Sequence, residues 1–138
     1  MVRLLLLSLL SCAAPLKNVD EDAREQAALG ARAEKYWRAA RWADATEASA
    51  FVADSGERIA FEALMEERWK DHRLTEATVL RVALEPPTVG APREATVTVK
   101  TEGYDLPEQV LRTEMVTQRW FRAATDWYLV WPEPPETP

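Results

Sequence analysis

A chain of 138 residues with a formal charge of −6 has room for one domain with a proper core, and its acidic balance argues against nucleic acid or anionic lipid as partners. Its single cysteine excludes an internal disulfide, and one histidine without a second thiol or imidazole leaves no ligand set for a structural metal. No metal and no cofactor is therefore expected.

Residues 1–11 have the layout of a short export signal. Arg3 supplies the positive charge, and Leu4 to Leu10 form an apolar run broken only by Ser8. Seven helical residues rise about 10 Å against a hydrocarbon core of about 30 Å, too short to span a membrane. One reading is an ordinary secretory signal cut at Ala13 or Ala14. The stretch Leu9-Leu10-Ser11-Cys12, however, resembles the lipobox of bacterial lipoproteins, and it contains the chain's only cysteine. That resemblance implies diacylglyceryl transfer to the Cys12 sulfur, cleavage before Cys12, and two or three palmitate-type chains on the mature N-terminus. One acyl chain anchors only marginally, whereas two or more hold a domain on a membrane without a spanning helix. The chain is then an exported lipoprotein of the cell envelope. Ala13 is not the aspartate that retains enterobacterial lipoproteins in the inner membrane, so the outer membrane is favoured where there are two.

Residues 12–19 make a short acylated tether. Asn18 or Asp20 can cap a helix running from Glu21 to about Trp42, with Ala23, Ala27, Ala31, Tyr36, Ala39 and Ala40 as its packing stripe. Asp44 caps a second, short helix through Phe51 and Val52. Asp54-Ser55-Gly56 turns into a third helix, Glu57 to about Asp71. Glu62, Glu66 and Glu67 follow its solvated side, where no histidine joins them for metal or acid–base chemistry. After His72 the period becomes two. Thr78 to Glu85 reads as a strand with Leu80, Val82 and Leu84 on one face. Ala95 to Glu102 follows with Val97 and Val99 inward, and Trp127 to Trp131 comes last. Between them, Val110 to Arg122 switches its apolar face from Leu111 and Met115 to Val116 and Trp120, the signature expected of a bulge. Helices followed by an antiparallel meander of about four strands make residues 20–131 a single α+β domain, and the proline-rich acidic stretch 132–138 is expected to be a disordered tail.

This order resembles the nuclear transport factor 2-like (cystatin-like) α+β fold, a cone of helices on a curved sheet. The likeness lies in Tyr36-Trp37-Arg38-Ala39-Ala40-Arg41-Trp42-Ala43-Asp44 with Ala48 to Val52. It continues in the closing Arg119-Trp120-Phe121 and Asp126-Trp127-Tyr128-Leu129-Val130. Some relatives are isomerase-like or cyclase-like enzymes, with an aspartate or a His–Asp pair in the cone and a tyrosine as oxyanion donor. Here that set does not map from sequence. His72 stands at a helix-to-strand junction, where a solvated or capping role suits it. Asp44 and Asp54 read as a cap and a turn, and Tyr36 and Tyr104 as binding groups at most. Six tryptophans read as core fillers or as the lining of an aromatic pocket.

The resulting expectation is a non-catalytic, membrane-tethered binding or assembly module. Its partners are membrane lipid through Cys12 and a second copy or an envelope protein, the last suggested by Val79, Ala83, Val110 and Val116, which do not fit one inner face. The alternative is a cryptic isomerase- or cyclase-like enzyme with a cone-facing carboxylate. A cone lined only by Ala, Val, Leu and Trp would exclude it. Changing Cys12 to Ala is expected to abolish incorporation of labelled fatty acid; label retained in that variant would overturn the anchor.

Overall fold

The computed structural model describes residues 16–133. The signal, Cys12 and the last five residues lie outside them. Three helices, α1 (Leu16–Arg41), α2 (Ala45–Ser49) and α3 (Ser55–Lys70), precede four strands, β1 (His72–Leu84), β2 (Glu94–Asp105), β3 (Arg112–Ala123) and β4 (Asp126–Leu129). The strands form one antiparallel sheet in the order β1-β2-β3-β4, and the helices pack on one face of it, an α+β architecture. No helix among the described residues is long and apolar enough to cross a membrane.

Helix α1 begins at Leu16, so it takes in four residues assigned above to the tether, and Asp20 lies within the helix rather than at a cap. Its packing stripe also differs from the alanine series. Leu29, Ala33, Tyr36, Ala39 and Ala40 are buried, whereas Ala23, Ala27 and Ala31 face solvent. The cause is chemical. Toward the N-terminus the inward positions are Asp22 and Glu25, which face cations and an indole of the sheet instead of its apolar surface. Asp22 pairs with Arg93 at 3.2 Å, and Glu25 pairs with Arg122 and accepts from Trp127 Nε1 at 2.9 Å. Alanine tolerates either environment and so marks neither.

The Asp44 cap forms as read, and Asp54, read as part of a turn, is a second cap. Asp44 accepts the Glu47 N–H at 3.0 Å to start α2, and Asp54 accepts the Glu57 N–H at 2.9 Å to start α3, two residues before the expected Glu57. Of the acidic run on α3, Glu66 and Glu67 are exposed, and Glu62 accepts from the Thr46 hydroxyl at 2.6 Å, tying α3 to α2. The linker between these helices closes the sheet's far edge. The Leu129 N–H donates to the Phe51 carbonyl at 2.8 Å, and Arg32 of α1 donates to the Trp127 carbonyl at 2.7 Å.

The bulges fall in β1 and not in β3. Its register against β2 shifts between Leu74 and Glu76 and again between Val79 and Arg81. The second shift leaves Leu80 as the extra residue, 52% exposed, so that Val79 packs on the core with Val82 and Leu84. The β2–β3 register is unbroken from Glu94↔Phe121 to Gly103↔Arg112. The inner face of β3 is Glu114, Val116, Gln118 and Trp120. Two polar residues at inward positions imitate a change of face.

The core centres on Trp120, fully buried, which Tyr36 and Phe51 each meet nearly edge-on at 6.2 Å between ring centroids. Val97, Val99 and Phe61 belong to the same buried cluster. Replacing Trp120 with Ala is expected to destabilise the fold by about 3–5 kcal/mol, against about 1 kcal/mol for Asp54→Ala. Urea unfolding midpoints check both, and equal effects would place the stability elsewhere.

Candidate functional site

A cavity of about 380 Å³ opens between the C-terminal halves of α1 and α3 and the end of the sheet where β1 begins. Its apolar wall is aromatic: Tyr36 and Trp37 come from α1, Phe61 and Trp69 from α3, and Trp131 from the segment after β4. Phe61 and Trp131 meet edge-on at 5.6 Å, and Tyr36 and Trp37 at 5.3 Å, so four of the five rings brace one another. Met65, Leu74 and Val116 fill the remaining wall.

The cavity has polar groups at two depths. At the floor, Gln118 on β3 accepts from Trp37 Nε1 at 2.9 Å, which orients its amide. The Tyr36 hydroxyl belongs to a side chain 6% exposed that lines the same cavity. Burial pushes the Tyr36 phenol far above its ordinary value, with nearby Arg68 opposing the shift weakly, so the hydroxyl stays protonated and can donate. Two side chains that can donate thus face an aromatic enclosure.

At the rim are Arg68, Glu114, Glu133 and His72. The His72 Nδ1 lies 2.8 Å from Asp105 Oδ1, across the first ladder pair of β1 and β2. The ring folds back over Gly103. A β-carbon at that glycine would stand 3.1 Å from His72 Nε2 and 2.7 Å from the Arg73 carbonyl, so only glycine admits this packing. With Nδ1 bonded to the carboxylate, Nε2 is the nitrogen left for a ligand.

His72 therefore stands at the helix-to-strand junction as read, but its role there is neither cap nor purely solvated. Tyr36 reaches the cavity, whereas Tyr104 does not line it; Asp44 and Asp54 are caps. The tryptophans divide. Trp120 and Trp127 are buried in the core, Trp37, Trp69 and Trp131 line the cavity, and Trp42 is exposed. Val79 and Val116 face inward and Val110 is exposed in the β2–β3 connection. Sequence reasoning missed Gln118, Glu114, Arg68 and Asp105. The available signal was the pair of polar residues flanking Val116 at a spacing of two.

Comparison with solved structures matches the solution structure of a SEC-C motif containing protein from Rhodopseudomonas palustris, with a TM-score of 0.51, 15% identity and 67% of each chain covered. At that identity the likeness is one of fold. No protein-family model and no curated protein matches the chain.

The Tyr36 environment has a consequence at alkaline pH. Its phenol ionises near pH 10 in the unfolded chain but only well above that when folded. Its contribution is intact below pH 10 and is lost as pH rises beyond it, by up to about 1.4 kcal/mol per pH unit. Urea unfolding between pH 9 and 11.5 is expected to show a steeper loss for the native chain than for Tyr36→Phe. Parallel curves would place the hydroxyl in water.

Proposed function

We propose that this chain is a membrane-tethered lipoprotein of the cell envelope whose domain binds a small, largely apolar molecule carrying a hydrogen-bond acceptor such as a carbonyl oxygen. Support for the tether is the lipobox resemblance of Leu9-Leu10-Ser11-Cys12. Support for the binding reading is the pair of donors, Tyr36 hydroxyl and Gln118 amide, lining one cavity with aromatic walls. The volume of about 380 Å³ falls within the ordinary range for ligand pockets, roughly 300–1,000 Å³. In this reading an acceptor oxygen takes a hydrogen bond from one of these donors, while the rest of the molecule covers Phe61, Trp69 and Val116. The order of three helices and an antiparallel meander also supports the nuclear transport factor 2-like resemblance. The exposed Leu80 and Met115 offer apolar surface for the second copy or envelope partner.

A second reading has its own observation, the His72–Asp105 pair at the cavity rim. A carbonyl compound held in the cavity would share it with the His72 imidazole, which Asp105 orients as carboxylates commonly orient general bases. Glu114 is the carboxylate that lines the same wall. The wall thus fails the exclusion set out for the enzyme alternative.

One experiment tests both. A panel of cyclic and aromatic ketones is mixed with the domain lacking residues 1–12 in D2O and followed by proton NMR. Saturation transfer from protein to ketone, lost in the cavity-filling variant Val116→Trp, is the expected result for binding. Loss of the ketone α-proton signal, dependent on His72, would mark the chain as an enzyme. Absence of transfer for every ketone at millimolar concentration overturns the binding reading.

A further inference from the structure

We propose that the domain stands end-on on the bilayer, with the β1–β2 loop resting against lipid and the cavity opening to the aqueous side. This rests on the lipid-anchor reading of Cys12.

The geometry comes from α1. Cys12 precedes its first residue by four positions, a reach of at most about 14 Å. The helix itself is 26 residues, about 39 Å long. An anchor on that sulfur therefore holds the N-terminal end of α1 near the membrane. That end is fixed to one end of the sheet. Asp22 pairs with Arg93 at the start of β2, Glu25 with Arg122 near the end of β3, and Gln26 reaches the Val82 carbonyl near the end of β1 at 3.5 Å.

The loop joining β1 to β2 lies at this same end, and Pro87 shares a crevice with Glu21 and Asp22. Between Glu85 and Arg93 it reads Pro-Pro-Thr-Val-Gly-Ala-Pro, seven residues without a charge. Val89 at its tip is fully exposed, and Gly90 beside it takes a left-handed backbone. In a chain in which 29% of residues are charged, this is a neutral, proline-stiffened tip with an aliphatic side chain. Arg93 at its base is engaged by Asp22 and the Glu85 carbonyl, so it is not held out toward lipid phosphate. Exposed Asp20, Glu21 and Glu85 surround the loop and disfavour anionic headgroups. The surface that fits is zwitterionic lipid, met by Val89 and the prolines.

The cavity rim is at the other end. His72 opens β1, and Glu114 pairs in register with Thr101, seven residues along β2 from Glu94, or about 23 Å. A domain held by its α1 end presents that rim to water. The ligand then arrives from the aqueous phase and not by lateral transfer from the bilayer.

The test uses the acylated chain in zwitterionic phosphatidylcholine vesicles. Val89→Cys introduces the one free thiol, because the Cys12 sulfur is taken by its thioether. Leu111→Cys, in the exposed connection at the opposite end, is the matched variant. Each is labelled with an environment-sensitive NBD fluorophore, and intact mass is recorded on the same sample. The label at 89 is expected to shift to the blue and be quenched by lipid-borne doxyl groups, and the label at 111 to stay open to aqueous iodide. An acylated chain whose 89 label is as open to iodide as its 111 label overturns the orientation alone. A mass showing a bare Cys12 sulfur overturns both the anchor and the orientation.

Discussion

Tyr36 meets the edge of Trp120 at 6.2 Å over the middle of the sheet, and this contact sets where α1 can lie. Small residues on either side, Ala33, Ala39 and Ala40, let the helix approach until the two rings touch. Phe51 then closes on Trp120 from the linker between α2 and α3, and its carbonyl takes the Leu129 N–H at the sheet's short edge strand. One aromatic junction thus joins all three layers of contact: helix to sheet, linker to sheet, and linker to edge.

On either side of that junction the interface changes character, and the two halves serve different ends. Toward the start of α1, Asp22 and Glu25 meet Arg93, Arg122 and the Trp127 indole, so charge and hydrogen bonding hold the helix down. Partly buried ion pairs of this kind contribute little net stability but fix register, since a slipped helix would leave a carboxylate without its partner. Toward the end of α1, a cavity lies between α1, α3 and the sheet. Gln118 and Tyr36 are polar there, and Gln118 also takes the Trp37 indole N–H at 2.9 Å. Donors in an aromatic enclosure are the observation behind the proposed binding role.

The His72 site depends on a backbone constraint of the same local kind. Gly103 leaves room for the imidazole on the inner face, and Asp105 holds its Nδ1. Both partners sit on β2, more than thirty residues from His72, and only the register of β1 against β2 brings them together. Nothing in the neighbourhood of His72 in the chain announces it.

What the chain's order of residues settled alone was local: the cap at Asp44, the inward Val97 and Val99, and the succession of helices and then strands. Each depends on interactions a few residues apart or on a period of two, which any reader of the sequence can count. Three things only the tertiary structure decided. The bulge at Leu80 depends on what β1 pairs with. The inward face of α1 depends on arginines fifty or more residues away. The polar inward residues of β3 looked like a break in the strand because a side chain's partner, here Trp37 for Gln118, is invisible to a pattern of hydrophobicity. Burial of a polar group becomes affordable only once its partner is in place, and the partner is supplied by the fold.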